Sequence, residues 1–86
     1  MPVRTVIDPF ALQIGTRIRA VRLKQGLSLA AMEITSGVSK GHLSNIERGQ
    51  VSMNVITLYK IARALKVPLM AILPPLARVM PGASIT

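Results

Sequence analysis

The chain is 86 residues long, half of them hydrophobic, with 11 Lys and Arg against three acids and a formal charge of +8. That length allows one small domain with a core of its own. The absence of cysteine excludes disulfide scaffolds, thiol catalysis and cysteine-bound zinc. The excess of base points to a polyanion, nucleic acid first and an anionic membrane surface second. Asp8, Glu33, Glu47 and His42 are the whole stock of acids and histidine. No two of them stand at a catalytic or ligand spacing, so neither enzyme chemistry nor a metal or other cofactor is expected. No Gly-rich phosphate loop occurs. The long uncharged stretch from Val67 to Ala77 is broken by Pro68, Pro74 and Pro75 and is too short to span a bilayer. No apolar signal core lies between Met1 and Phe10, so secretion is not indicated and a cytoplasmic setting is expected.

In chain order, residues 1–8 read as an N-terminal arm, and Val3 to Ile7 have extended character. That segment either pairs as a strand or stays a disordered arm. Asp8-Pro9 is a helix start, since the Asp oxygen takes an orphan amide and Pro has none to leave unpaired. The spacing predicts a first helix over Pro9–Gln25, with Ile14, Ile18 and Val21 on one apolar stripe and Gly26 as the end. Ser28 caps a short helix over Leu29–Ser36, closed by Gly37. Ser39 caps another over Lys40–Arg48, closed by Gly49. Two such helices joined by a tight Gly-containing turn form a helix-turn-helix unit. Asn54 caps a helix over Val55–Lys66 with Val55, Leu58, Ile61, Ala62 and Leu65 on one face. Pro68 opens a last helix over Leu69–Leu73, which Pro74-Pro75 ends. Met32 reads as core, and Met70 as core or interface filler. The expected architecture is all-α, five short helices over residues 9–73, followed by an apolar tail over residues 74–86.

Within the unit, Val38, Leu43 and Ile46 can face the core, which leaves Lys40, Gly41, Ser44 and Asn45 on the outer face of the third helix. From Ile14 to Leu73 the sequence resembles a λ-repressor/Cro-type (XRE-family) helix-turn-helix domain. The matching pieces are Ile14-Gly15-x-Arg17-Ile18-Arg19, Arg22, Gly26-Leu27-Ser28 and Gly37-Val38-Ser39. They continue with Leu43-Ser44-x-Ile46-Glu47-Arg48-Gly49 and Thr57-Leu58-x-x-Ile61-Ala62-x-Ala64-Leu65. The resemblance implies a λ-repressor-like bundle whose third helix lies in the major groove of double-stranded DNA. Carried over by position, Lys40, Gly41 and Asn45 match base-reading sites, and Ser44 shares their face. Lys40 can donate to guanine, and Asn45 can pair with adenine. Ser28 and Ser39 match phosphate-facing caps. Arg48 is expected to reach phosphate, and Arg17, Arg19 and Lys24 add nearby charge that fixes register rather than sequence. His42 is either another contact at the groove edge or plainly exposed. Arg22 and Glu47 match a structural salt bridge, which is favoured over a phosphate contact for Arg22.

The sequence departs from the family pattern at two places in the second helix. Leu29 stands where many relatives place a phosphate-binding Gln. Glu33 stands where a small Ala is usual, so its carboxylate must reach solvent or a cation. The loop over residues 50–53 lacks Lys and Arg, and backbone contacts from it should be weak. Leu69, Ile72, Leu73, Leu76, Val79 and Met80 exceed what so small a domain readily buries. They are read as a homodimer interface, in preference to a tail folded onto its own core. The functional expectation is a dimeric, sequence-specific regulator of transcription, most simply a repressor. The rival is an interaction module, such as an antitoxin, whose tail binds another protein.

Overall fold

The computed structural model describes residues 8–51 and 53–75. Residues 1–7 of the expected arm and the tail residues Leu76, Val79 and Met80 lie outside the described residues. Four α-helices and one 3-10 turn follow in order: α1 Pro9–Lys24, α2 Leu29–Ser36, α3 Lys40–Glu47, α4 Val55–Leu65, then the turn Leu69–Ile72. No strand occurs among the described residues.

Each α-helix starts on a polar side chain that takes an otherwise unpaired amide. Asp8 Oδ1 accepts from Phe10 N at 2.8 Å, Ser28 Oγ from Ala31 N at 3.0 Å, Ser39 Oγ from His42 N at 3.2 Å, and Asn54 Oδ1 from Thr57 N at 2.8 Å. The far ends also follow one logic. Leu27 N donates to Arg22 O, Gln50 N to Asn45 O and Val67 N to Ala62 O, at 3.0, 3.0 and 3.1 Å. Each is the six-to-one bond of a Schellman motif, which needs a left-handed residue just past the helix. Glycine fills that place after α1 and α3, but after α4 it is Lys66, at φ 60°. The Gln25 side chain reaches the same helix end, its Nε2 donating to Leu65 O at 2.6 Å.

The expected fifth helix is a single 3-10 turn. Its bonds, Ala71 N to Pro68 O at 2.9 Å and Leu73 N to Met70 O at 3.3 Å, each skip three residues rather than four. Pro74 disfavours the helical region for the residue before it, and Leu73 is extended at φ −102°, ψ 149°. The chain therefore leaves the helical path after one turn.

Ile18, Met32, Val38, Leu43, Ile46, Leu58, Ile61, Ala62, Leu65 and Ile72 form one contiguous core. Ile14 and Val21 pack partly buried at its margin. α1 packs chiefly on α3, α2 on α3 and α4, and the 3-10 turn closes against α4 and α1. Two expectations about packing are corrected. Val55 is 69% exposed. It is the first residue of α4, and side chains lean toward the helix N-terminus, so it hangs past the end rather than over the core. Met70 is 77% exposed and fills no core gap. It sits on the outward side of a turn whose Ile72 points inward.

Candidate nucleic-acid interface

The third helix is held from beneath and bare on top. Leu43 and Ile46 are fully buried, and Glu47 nearly so. Lys40, Gly41 and His42 are exposed, while Ser44 and Asn45 are partly exposed. Between α2 and α3 the backbone reverses at Gly37, φ 78°. There a Cβ would meet open space, so the backbone angle rather than crowding favours glycine.

Two features fix α3 against α1. Gly15 is the first. A Cβ built on it would lie 2.2 Å from Ile46 O and 2.8 Å from Glu47 O, so the helices touch backbone to backbone. The second is the bidentate pair of Arg22 and Glu47. Nε donates to Oε2 at 2.7 Å and Nη2 to Oε1 at 2.9 Å, with side chains only 9% and 5% exposed. The remaining guanidinium nitrogen, Nη1, donates to Leu27 O at 2.8 Å. The fork thus joins α1, the α1–α2 loop and α3 with no buried polar atom unpaired among the described residues. The hydrogen bond to Glu47 and its charge raise the Arg22 pKa above the ordinary value, against an opposing effect of burial.

An open cleft of about 640 Å³ runs between α1 and α3. Thr16, Arg19 and Leu23 of α1 line it with Ser44 and Arg48, and Leu29 of α2 also contributes. Arg19 and Arg48 therefore flank one groove beside α3. Arg17 is exposed but does not line it. Two residues apart on a helix means a turn of about 200° about the axis, so the two arginines cannot share a face. Ser28 and Ser39 spend their oxygen on helix amides and keep a hydroxyl proton for an outside acceptor.

Arg48, expected to reach outward, is engaged by its own helix. Nη1 donates to Ser44 Oγ at 2.6 Å, Nη2 to Asn45 Oδ1 at 2.8 Å and Nε to Gln50 Oε1 at 3.2 Å. The spacing of three and four residues makes Asn45 and Ser44 its neighbours on a helix, a signal present in the sequence. Glu33 also has a partner that residue patterns did not name. Its Oε2 accepts from Lys40 N at 3.0 Å. Of the expected dimer contacts, Ile72 is fully buried in the chain's own core and Leu69 and Leu73 pack against that core. Ile72 is therefore a core residue and not a surface contact, because its side of the turn faces α1 and α4. On α4 and the 3-10 turn the exposed large apolar side chains are Val55, Ile56, Tyr59 and Met70. Among the described residues no three potential ligands gather to hold a metal, and no helix is long and apolar enough to cross a membrane.

A family model described as helix-turn-helix matches residues 18–72. The chain belongs to that family, of the XRE type. Among curated relatives, the HTH-type transcriptional regulator SutR of Escherichia coli is 37% identical over 69 residues, which is 80% of this chain and 39% of SutR. This helix-turn-helix domain thus spans about two fifths of that protein. An uncharacterized HTH-type transcriptional regulator of Sinorhizobium fredii, y4dJ, is 37% identical over 62 residues, 72% of this chain and 80% of y4dJ. Among solved structures, an HTH_3 family transcriptional regulator from Vibrio cholerae superposes with a TM-score of 0.71 at 41% identity, over 73% of this chain and 35% of that one. The restriction-modification controller protein C.AhdI from Aeromonas hydrophila gives 0.70 at 27% identity, over 72% of this chain and 94% of that one.

Proposed function

We propose that the chain binds double-stranded DNA as a sequence-specific transcriptional regulator, inserting α3 into the major groove. The observation that carries the reading is the two-sidedness of α3. Its inner face is locked by Leu43, Ile46, Glu47 and the Gly15 contact, and its outer face offers Lys40, Gly41, Ser44 and Asn45. A rigid rod with exposed donors on a chain of charge +8 suits a polyanionic groove. In this reading Lys40 donates to guanine O6 or N7, and Asn45 addresses a base edge. Ser28, Ser39, His42, Arg19 and Arg48 contact the backbone and set register. Arg17 faces elsewhere and contributes field rather than contact. The names of the relatives, HTH-type transcriptional regulators, support the regulatory role.

The finer reading is a homodimer that represses by occupying a two-fold site in the cytoplasm. Exposed Val55, Ile56, Tyr59 and Met70 offer the apolar surface that such a pairing needs. Selection of bound duplexes from a random pool tests the whole reading at once. A palindrome with half-sites about one helical turn apart is expected. Lys40→Ala should then cost roughly 1–3 kcal/mol of binding and relax preference at one base pair. Recovery of no enriched sequence would overturn sequence-specific binding. Sizing of the pure chain separates a self-paired dimer from a monomer that pairs only with a different protein.

A further inference from the structure

Glu33 is the one acid beside the groove-facing end of α3. Of the other two, Glu47 is consumed by Arg22 and Asp8 caps α1. Glu33 belongs to the last turn of α2, and it is bonded to the turn twice. Its carbonyl accepts from Gly37 N at 3.0 Å and its carboxylate from Lys40 N at 3.0 Å. Lys40 N is the first amide of α3, and Ser39 takes the third, that of His42. The carboxylate is exposed, and among the described residues Arg22–Glu47 is the ion pair, so no cation within salt-bridge distance neutralises Glu33. A negative charge is at home there, because the helix dipole presents its positive end. That end is also where a backbone phosphate would otherwise settle.

We propose that Glu33 is a specificity-determining residue for duplex recognition. It occupies the leading amide of α3 and repels phosphate from it. The tip of the helix then gains little from sequence-independent contact and must rely on the base edges that Lys40 and Asn45 reach. The proposal rests on duplex binding by α3. Glu33 acts by lowering affinity for every duplex, and more for the wrong one, since a phosphate would settle at the leading amide of α3 chiefly where the tip of the helix is not engaged with base edges. It also fixes where α3 begins.

Two variants of the full chain separate charge from capping. Glu33→Gln keeps an oxygen for Lys40 N and removes the charge, whereas Glu33→Ala removes both. Binding is measured on a random-sequence duplex and on the duplex selected from a pool, between about 50 and 200 mM salt. At low salt, Glu33→Gln should bind the random duplex about two- to five-fold tighter, the size of a charge effect at a helix end. The gain should shrink as salt rises and be smaller on the selected duplex, so the specificity ratio falls. In the free chain, hydrogen exchange of the Lys40 amide should quicken in Glu33→Ala and hold in Glu33→Gln. Binding by Glu33→Gln equal to the parent at low salt would overturn the proposal, as would equal gains on both duplexes. A loss on the selected duplex with no gain on the random one would also overturn it, and would make the carboxylate a direct reader of cytosine. Unchanged Lys40 exchange in Glu33→Ala would remove the capping contact. If the parent itself binds no duplex, the underlying reading fails before any variant is made.

Discussion

Arg22 brings all three of its donor nitrogens into a nearly dry site and leaves none idle. Removing one side of such a pair strands the other. We expect Arg22→Ala to cost about 3–5 kcal/mol in urea unfolding, most of a small domain's stability. Replacing both residues together, Arg22→Met with Glu47→Leu, should recover most of that loss, because two apolar side chains need no partner. The raised Arg22 pKa fixes the sign of any alkaline effect. Its stabilisation is complete below the unfolded value and is lost only as pH rises through the higher folded one. From about pH 6 to about pH 10 the guanidinium therefore adds no pH dependence to stability. This pair was legible in the sequence. An acid is scarce in this chain, and a negative charge at the end of α3 calls for a cation. The Glu33 contact was not legible in the same way. Its partner is a backbone amide, which every residue but proline carries, so no residue type could announce it.

At the scale of the elements, the starts of α1 to α4 were readable from Asp8, Ser28, Ser39 and Asn54, and each does cap its helix. The ends were readable where glycine marks them. Lys66 gives no such mark, because lysine has no intrinsic preference for the left-handed angle it adopts, between a buried Leu65 and a Val67 packed on the core. Apolar spacing does not distinguish one turn of α-helix from one turn of 3-10 helix, so the sequence points to a fifth helix where the structure has a 3-10 turn. Two glycines on facing helices have opposite consequences. Gly15→Ala would drive a methyl group into the Ile46 carbonyl, so α1 and α3 must part. A cost of about 1–3 kcal/mol or more is expected from a thermal melt. Gly41 faces open space. Gly41→Ala should stabilise α3 by up to about 1 kcal/mol. It should nonetheless weaken duplex binding, since the added methyl stands where the helix backbone would approach the bases. A variant that melts higher and binds worse would identify Gly41 as a site of close approach. One that melts higher and binds equally would place it outside the contact.

For the whole molecule, charge is the dominant quantity. A chain of +8 with a single ion pair among its described residues leaves its other described Lys and Arg outside salt bridges. With the two cationic phosphate contacts proposed per chain, Arg19 and Arg48, affinity for a random duplex should fall roughly ten-fold between 50 and 200 mM salt. A slope near zero in a binding titration would mean that the basic surface does not meet the backbone. That a polyanionic partner is to be expected was legible from composition alone. Where the cations sit was not, because placing Arg19 in the cleft and Arg17 outside it depends on how α1 is rotated against α3. The apolar surplus near the C-terminus was likewise only half legible. A count of side chains cannot tell that Ile72 completes the core while Met70 faces outward.

The grip of Arg48 on Ser44 and Asn45 reaches beyond its own helix. While the guanidinium holds the Asn45 oxygen, one of that oxygen's two lone pairs is spent and the side chain is turned toward Arg48, so the paired donor–acceptor match to adenine is hindered. A phosphate that drew Arg48 aside would unlock it. Anchoring to the sugar–phosphate rail would then come before the reading of letters, and a chain sliding over foreign sequence would travel with part of its alphabet closed.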